Sequence, residues 1–117
     1  MKPPRRTWAL DTATERVPGG IVIAPEGRIG SRSAAAFAAA VAAARVESPR
    51  MVIDLQGVDY ISGPGVEVLQ AIGSANDERV IVCGLREAVR VTLELAGVLD
   101  SLTIEDTRAA ALSRLQE

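Results

Sequence analysis

"MVIDLQGVDYISGPGVEVL", residues 51–69, changes its hydrophobic rhythm once, and that change sets the architecture. Met51-Val52-Ile53-Asp54-Leu55 is an apolar run with little polar alternation, the pattern of a central strand covered on at least one face. Val58-Asp59-Tyr60-Ile61 reads as a small loop. Past Ser62-Gly63-Pro64-Gly65, the apolar residues Val66, Leu69 and Ile72 recur at helical spacing, which predicts a helix to about Gly73. A strand that passes into a helix through a tight turn is the repeating unit of a layered α/β protein.

The flanking sequence continues the alternation. From Ser31 or Ser33, either a plausible N-cap, alanine-rich residues up to about Val46 predict a helix, since alanine has the highest helix propensity. Phe37 and Val41 form its seam with Ala34 and Ala44, and the small residues around them let it sit close to a sheet. Upstream, Gly19-Gly20 and Pro25 bracket a strand at Ile21–Ala24, and residues 7–12 suit an edge strand paired with it, Trp8 and Leu10 facing inward. Downstream, "SANDE" is a turn-rich connector, Arg79–Cys83 a buried strand, and "LREAVRVTLELAG" an amphipathic helix on which Ala88, Val91, Thr92 and Leu95 share a face. Gly97 is placed to end it in a left-handed conformation. A short strand at Leu102–Ile104 and a terminal helix in "TRAAALSRLQE" complete the chain. The expected fold is α/β: a mixed sheet of four to five strands with about four helices packed mainly on one face.

Length and composition bound what this fold can do. The 117 residues suit one domain, here 7–117, preceded by a basic, flexible tail at 1–6. Roughly 65% of the unfolded surface is buried in a chain of this size, enough for stability without disulfides or metal. The single cysteine, Cys83, lies in "RVIVCGL" as a small buried hydrophobe, in keeping with a reducing compartment. With 13 basic and 15 acidic side chains the net charge is −2, so no overall field recruits nucleic acid or an anionic membrane. The apolar run Ala34–Ala44 falls short of the roughly 18 residues of a membrane helix, and no signal-peptide core follows the N-terminal arginines. A cytoplasmic location is expected.

There is no histidine, which removes the commonest general base and metal ligand together. Zinc sites of the His/Cys type and Ser-His-Asp or Cys-His nucleophile systems are thereby excluded. Neither GxxxxGK[ST] nor GxGxxG occurs. The sequence predicts no enzyme, no cofactor and no metal.

The order β-β-α-β-α-β-α-β-α, with "MVIDLQGVDYISGPGVEVL" in the middle and "EAVRVTLELAGVLDSL" near the end, resembles a STAS domain from about Trp8 to Leu115. That family includes anti-sigma-factor antagonists, stressosome scaffold proteins and the cytoplasmic tails of sulfate-type transporters. In the antagonist branch the loop before the second helix typically reads Asp-Ser-Ser-Gly or Asp-Ser-Thr-Gly, and its first serine is phosphorylated by a kinase that is also the anti-sigma factor. The resemblance lays Ser62 on the aspartate, Gly63 on the phosphorylated serine, Pro64 on the next hydroxyl position and Gly65 on the final glycine. Gly63 has no hydroxyl, so the usual acceptor is missing.

Two roles stand open for Ser62. As a cap, its oxygen would accept a hydrogen bond from the backbone N–H near Gly65, and Pro64 fits the first turn of a helix. As a displaced acceptor, one residue early, it would place a phosphate of about −1.5 to −2 charges at a helix N-terminus. Anion binding by the turn's own backbone is disfavoured, because Pro64 removes one N–H. Asp54 is expected to satisfy loop amides at the strand end, and Asp54 with Asp59 is too small a donor set for a metal. The resemblance implies an adaptor that docks a kinase-like regulator or anti-sigma factor through Ser62, Gly63, Pro64, Gly65, Val66, Glu67 and Gln70. The alternative is a self-associating STAS scaffold subunit of a signalling assembly.

Overall fold

The computed structural model describes residues 10–75, 77 and 79–117. Their order is β1 (Leu10–Val17), β2 (Gly20–Ile29), α1 (Ala34–Glu47), β3 (Met51–Asp54), β4 (Val58–Ile61), α2 (Gly63–Ser74), β5 (Val80–Cys83), α3 (Glu87–Leu95), a 3-10 turn (Leu99–Ser101), β6 (Thr103–Glu105) and α4 (Arg108–Leu115). The described strands form one sheet in the order β1-β2-β3-β5-β6, with β4 joined to β2. Only the β1–β2 pair is antiparallel.

Strand alternation divides the interior into two layers. Ile21, Ile23, Ile53, Val80 and Val82 face α1, α2 and α3, whose Phe37, Val41, Leu69, Ile72, Val89 and Leu93 cover them. Val22, Val52, Ile81 and Cys83 face the other way, onto Ala111 and Leu115 of α4. Strands covered on both faces carry apolar side chains at every position, the reason β3 and β5 show no alternation. Three helices lie on one face and one on the other, as an arrangement mainly on one face requires.

Several expectations need correction. Val58–Ile61 is a strand and not a loop, bringing the sheet to six described strands. It pairs with Gly27–Ile29, and Gly57 permits the approach, since a Cβ there would lie 2.7 Å from Glu26 Cγ and 3.1 Å from the Pro25 carbonyl oxygen. Pro25 does not end β2. The parallel partners of β2 are β3 at Ile21–Ile23 and β4 at Gly27–Ile29, so the missing N–H falls in the gap between them. The first strand starts at Leu10 and runs on to Val17, and the expectation for Trp8 lies outside the described residues. On α3 the buried positions are Val89 and Leu93, while Val91 and Leu95 are 41% and 84% exposed. Gly97 ends this helix at φ 73°, as expected, and Val98 N–H bonds back to Leu93 C=O at 3.0 Å.

Candidate functional site

The turn at Ser62 is held by backbone. Ser62 is extended (φ −134°, ψ −177°). Its N–H donates to Ile29 C=O at 3.0 Å, and its own C=O accepts from Val66 N–H at 2.9 Å. It occupies the N-cap position, but its hydroxyl makes no capping bond. The expected bond to Gly65 is therefore absent. An N-cap oxygen ordinarily bonds the second or third helical N–H, and the second helical residue is Pro64, which has none. The Ser62 hydroxyl instead lies toward the turn after β2, where a Cβ on Gly30 would be 3.2 Å from it.

The two glycines of the turn serve different ends. Gly63 is exposed, and a Cβ built on it meets nothing within 4 Å. Gly65 is buried, and a Cβ there would stand 2.6 Å from Ile29 Cγ2, 2.8 Å from Ile29 O and 2.9 Å from Ile61 Cγ1. The absent side chain lets α2 press onto β2 and β4. Of the residues expected to meet a partner, Gly63, Pro64, Glu67 and Gln70 are exposed and Ser62 is half-buried. Gly65 and Val66 face inward and seat the helix.

Beside this surface, α1 and α2 leave an apolar groove of about 570 Å³, lined by Val41, Ala42, Val68, Ala71 and Ile72, with Arg45 and Glu67 also on its wall. On the other side of the turn lies a smaller cleft of about 260 Å³, lined by Arg28, Gly30, Ser31, Arg32, Ser33, Tyr60 and Ser62. The Arg28 guanidinium sits 4.4 Å above the centre of the Tyr60 ring. Neither Arg28, Arg32 nor Tyr60 was singled out from sequence. The signal was the "GRIGSRS" stretch, but only the pairing of Arg28 with Tyr60 across β2 and β4 joins it to the turn.

Asp54, 7% exposed, ends β3. Its carboxylate accepts from Gln56 N–H at 3.0 Å, the loop amide expected, and from Arg108 Nε at 2.7 Å, a partner brought in by α4. Burial, and then the Asp54 charge, push the neighbouring Cys83 thiol up to about 12, so it is neutral at ordinary pH. Among the described residues no group of three or more Cys, Asp or Glu is placed to hold a metal ion.

A mixed sheet with a strand-turn-helix element at the end of β4 is the arrangement of a STAS fold. Residues 11–111 match the family model of the STAS domain, and the chain belongs to that family. The candidate anti-sigma factor antagonist BtrV of Bordetella bronchiseptica is 27% identical over 101 residues, spanning 83% of this chain and 87% of that protein. The crystal structure of an anti-sigma factor antagonist from Mycobacterium paratuberculosis matches with a TM-score of 0.83 at 25% identity, over 93% of this chain and 96% of that one. The anti-sigma factor antagonist SpoIIAA in its unphosphorylated form shares the fold, with a TM-score of 0.69 at 15% identity over 91% and 96% of the two chains. No helix among the described residues is long and apolar enough to cross a membrane.

Proposed function

We propose that this chain is an anti-sigma-factor-antagonist-like regulatory protein that docks a kinase-like regulator or an anti-sigma factor through residues 62–73, without chemistry of its own. The observation that carries the reading is the exposed corner of Gly63, Pro64, Glu67 and Gln70, continuous through Glu67 with the apolar groove between α1 and α2. A flat apolar floor with a polar rim is the anatomy of a protein-binding patch. The names of the family relatives point to the same class of partner. Gly63 stands where the family resemblance puts the phosphate acceptor, so the complex is constitutive or controlled elsewhere. Ser62 is the one hydroxyl left in the turn, and it has no hydrogen-bond partner to hold it.

The test is a pull-down from the source cell with the full chain, its Ser62→Asp and Glu67→Lys variants, and melting curves to establish that each is folded. Recovery of a kinase-like or anti-sigma protein by the wild type, lost with Glu67→Lys, supports the docking surface; loss with Ser62→Asp as well makes Ser62 a switch. Equal recovery by all three overturns it.

A second reading, a self-associating scaffold subunit, is favoured by Val91 and Leu95 standing one helical turn apart on the exposed face of α3. Light scattering separates the two: a scaffold assembles at micromolar concentration and loses its assembly with Leu95→Lys.

A further inference from the structure

The cleft beside Ser62 is cationic in a chain of net charge −2. Two guanidinium groups, Arg28 and Arg32, line it, and no carboxylate does. Among the described residues Arg28 takes part in no ion pair; its contact is the face of Tyr60. The N-caps of two full-length helices, Ser33 for the 14 residues of α1 and Ser62 for the 12 of α2, both line the cleft. Neither helix has an acidic residue in its first turn, so neither positive helix end is offset by its own side chains. The Ser62 hydroxyl, freed from capping, joins Ser31 and Tyr60 as a donor on the wall. Gly30 keeps the wall open, since a Cβ there would come 3.2 Å from Ser62 Oγ and 3.7 Å from the Tyr60 ring.

We infer that this cleft is a binding site for a phosphate-class oxyanion, either free phosphate or a small phosphomonoester. Guanidinium groups present paired N–H donors that match the oxygens of such an anion, and Arg28 is already aimed by its stacking on Tyr60. Pro64, which weakens anion binding by the backbone of its own turn, does not line this cleft. The site lies beyond the docking corner and does not depend on a partner being there.

The test is a titration of the ¹⁵N-labelled full chain with inorganic phosphate at constant ionic strength, and in a second arm with glycerol phosphate. Expected are saturable amide shifts centred on Gly30–Ser33 and Ser62–Gly63, with a dissociation constant of about 1 mM. Arg28→Gln weakens binding about tenfold or more, Arg28→Lys recovers part of it, and Arg50→Gln, in the separate arginine cleft with Arg79 and Arg114, leaves it unchanged. Arg32→Gln, in the turn before α1, is a second weakening variant should Arg28→Gln not fold. Tighter binding of glycerol phosphate identifies a monoester as the ligand class, and equal binding identifies the free ion. Shifts that never saturate, or that are the same in the Arg28 and Arg32 variants as in the wild type, overturn the assignment.

Discussion

A methyl group added at Gly65 would meet Ile29 and Ile61 at 2.6–2.9 Å, whereas one added at Gly63 would meet nothing. Gly65→Ala should therefore cost about 1–3 kcal/mol by overpacking, while Gly63→Ala should be neutral or stabilise by up to about 1 kcal/mol by reducing unfolded-state entropy. Chemical denaturation of the two variants measures both. Cys83 gives a second residue-scale test. Its thiol is raised from 9.0 to about 12, so between those values the unfolded chain sheds a proton that the folded chain keeps, and stability falls as pH rises. Native protein at pH 8 should resist alkylation at Cys83 and react once unfolded. Burial of Cys83 was legible because its neighbours in "RVIVCGL" are apolar. The idle hydroxyl of Ser62 was not, because the loss of its cap bond depends on which helical position Pro64 takes.

At the scale of elements, α3 is the instructive case. Its sequence carries two overlapping stripes, Ala88-Val91-Thr92-Leu95 and Val89-Leu93, both at helical spacing. The longer stripe faces solvent because the chain after Gly97 turns back with Val98 on the buried side, continuing the shorter one. Leu93→Ala should cost about 2–5 kcal/mol, and Leu95→Ala should stay within about 0.5 kcal/mol. The connector after α2 is fixed by charge. Asp77 accepts from the Arg79 side chain and backbone N–H and from Arg45 of α1. The Arg79 side chain first, then its N–H, hold the Asp77 carboxyl below its ordinary 3.8. A depressed carboxyl stabilises the fold above its unfolded value and loses that contribution as pH falls through it. Asp77→Asn should accordingly lower stability at pH 7 by up to about 1 kcal/mol, since its partners are solvent-exposed. The gap between variant and wild type should close below pH 3.8.

Over the whole molecule, the two layers are unequally secured. Three helices cover one face, but α4 alone covers the other, with only Ala111 and Leu115 buried. Arginines fasten it at each end. Arg50 donates to the carbonyls of Leu115 and Glu117, and Arg108 pairs with Asp54 and Glu15. Arg108→Ala strands the Asp54 carboxylate against the sheet and should cost about 1–3 kcal/mol, with α4 amides the first to lose protection in hydrogen exchange. The strand-helix alternation was legible from hydrophobic rhythm, and so were the main seams of α1 and α2. The sixth strand was not, because β4 is four residues long with two of them exposed, and its partner β2 lies some 30 residues earlier in the chain. The arginine cleft was hidden for the same reason, since it exists only once those two strands pair.

The open space above Gly63 also bears on how such a protein changes through descent. Glycine and serine codons lie one base apart. A serine at position 63 would hang its hydroxyl over the start of α2 with no core atom displaced. In the antagonist branch that this chain resembles, it would stand where the regulatory phosphate is carried. The mutational path between an unswitched adaptor and a phosphorylatable one is therefore a single step with no loss of stability along it.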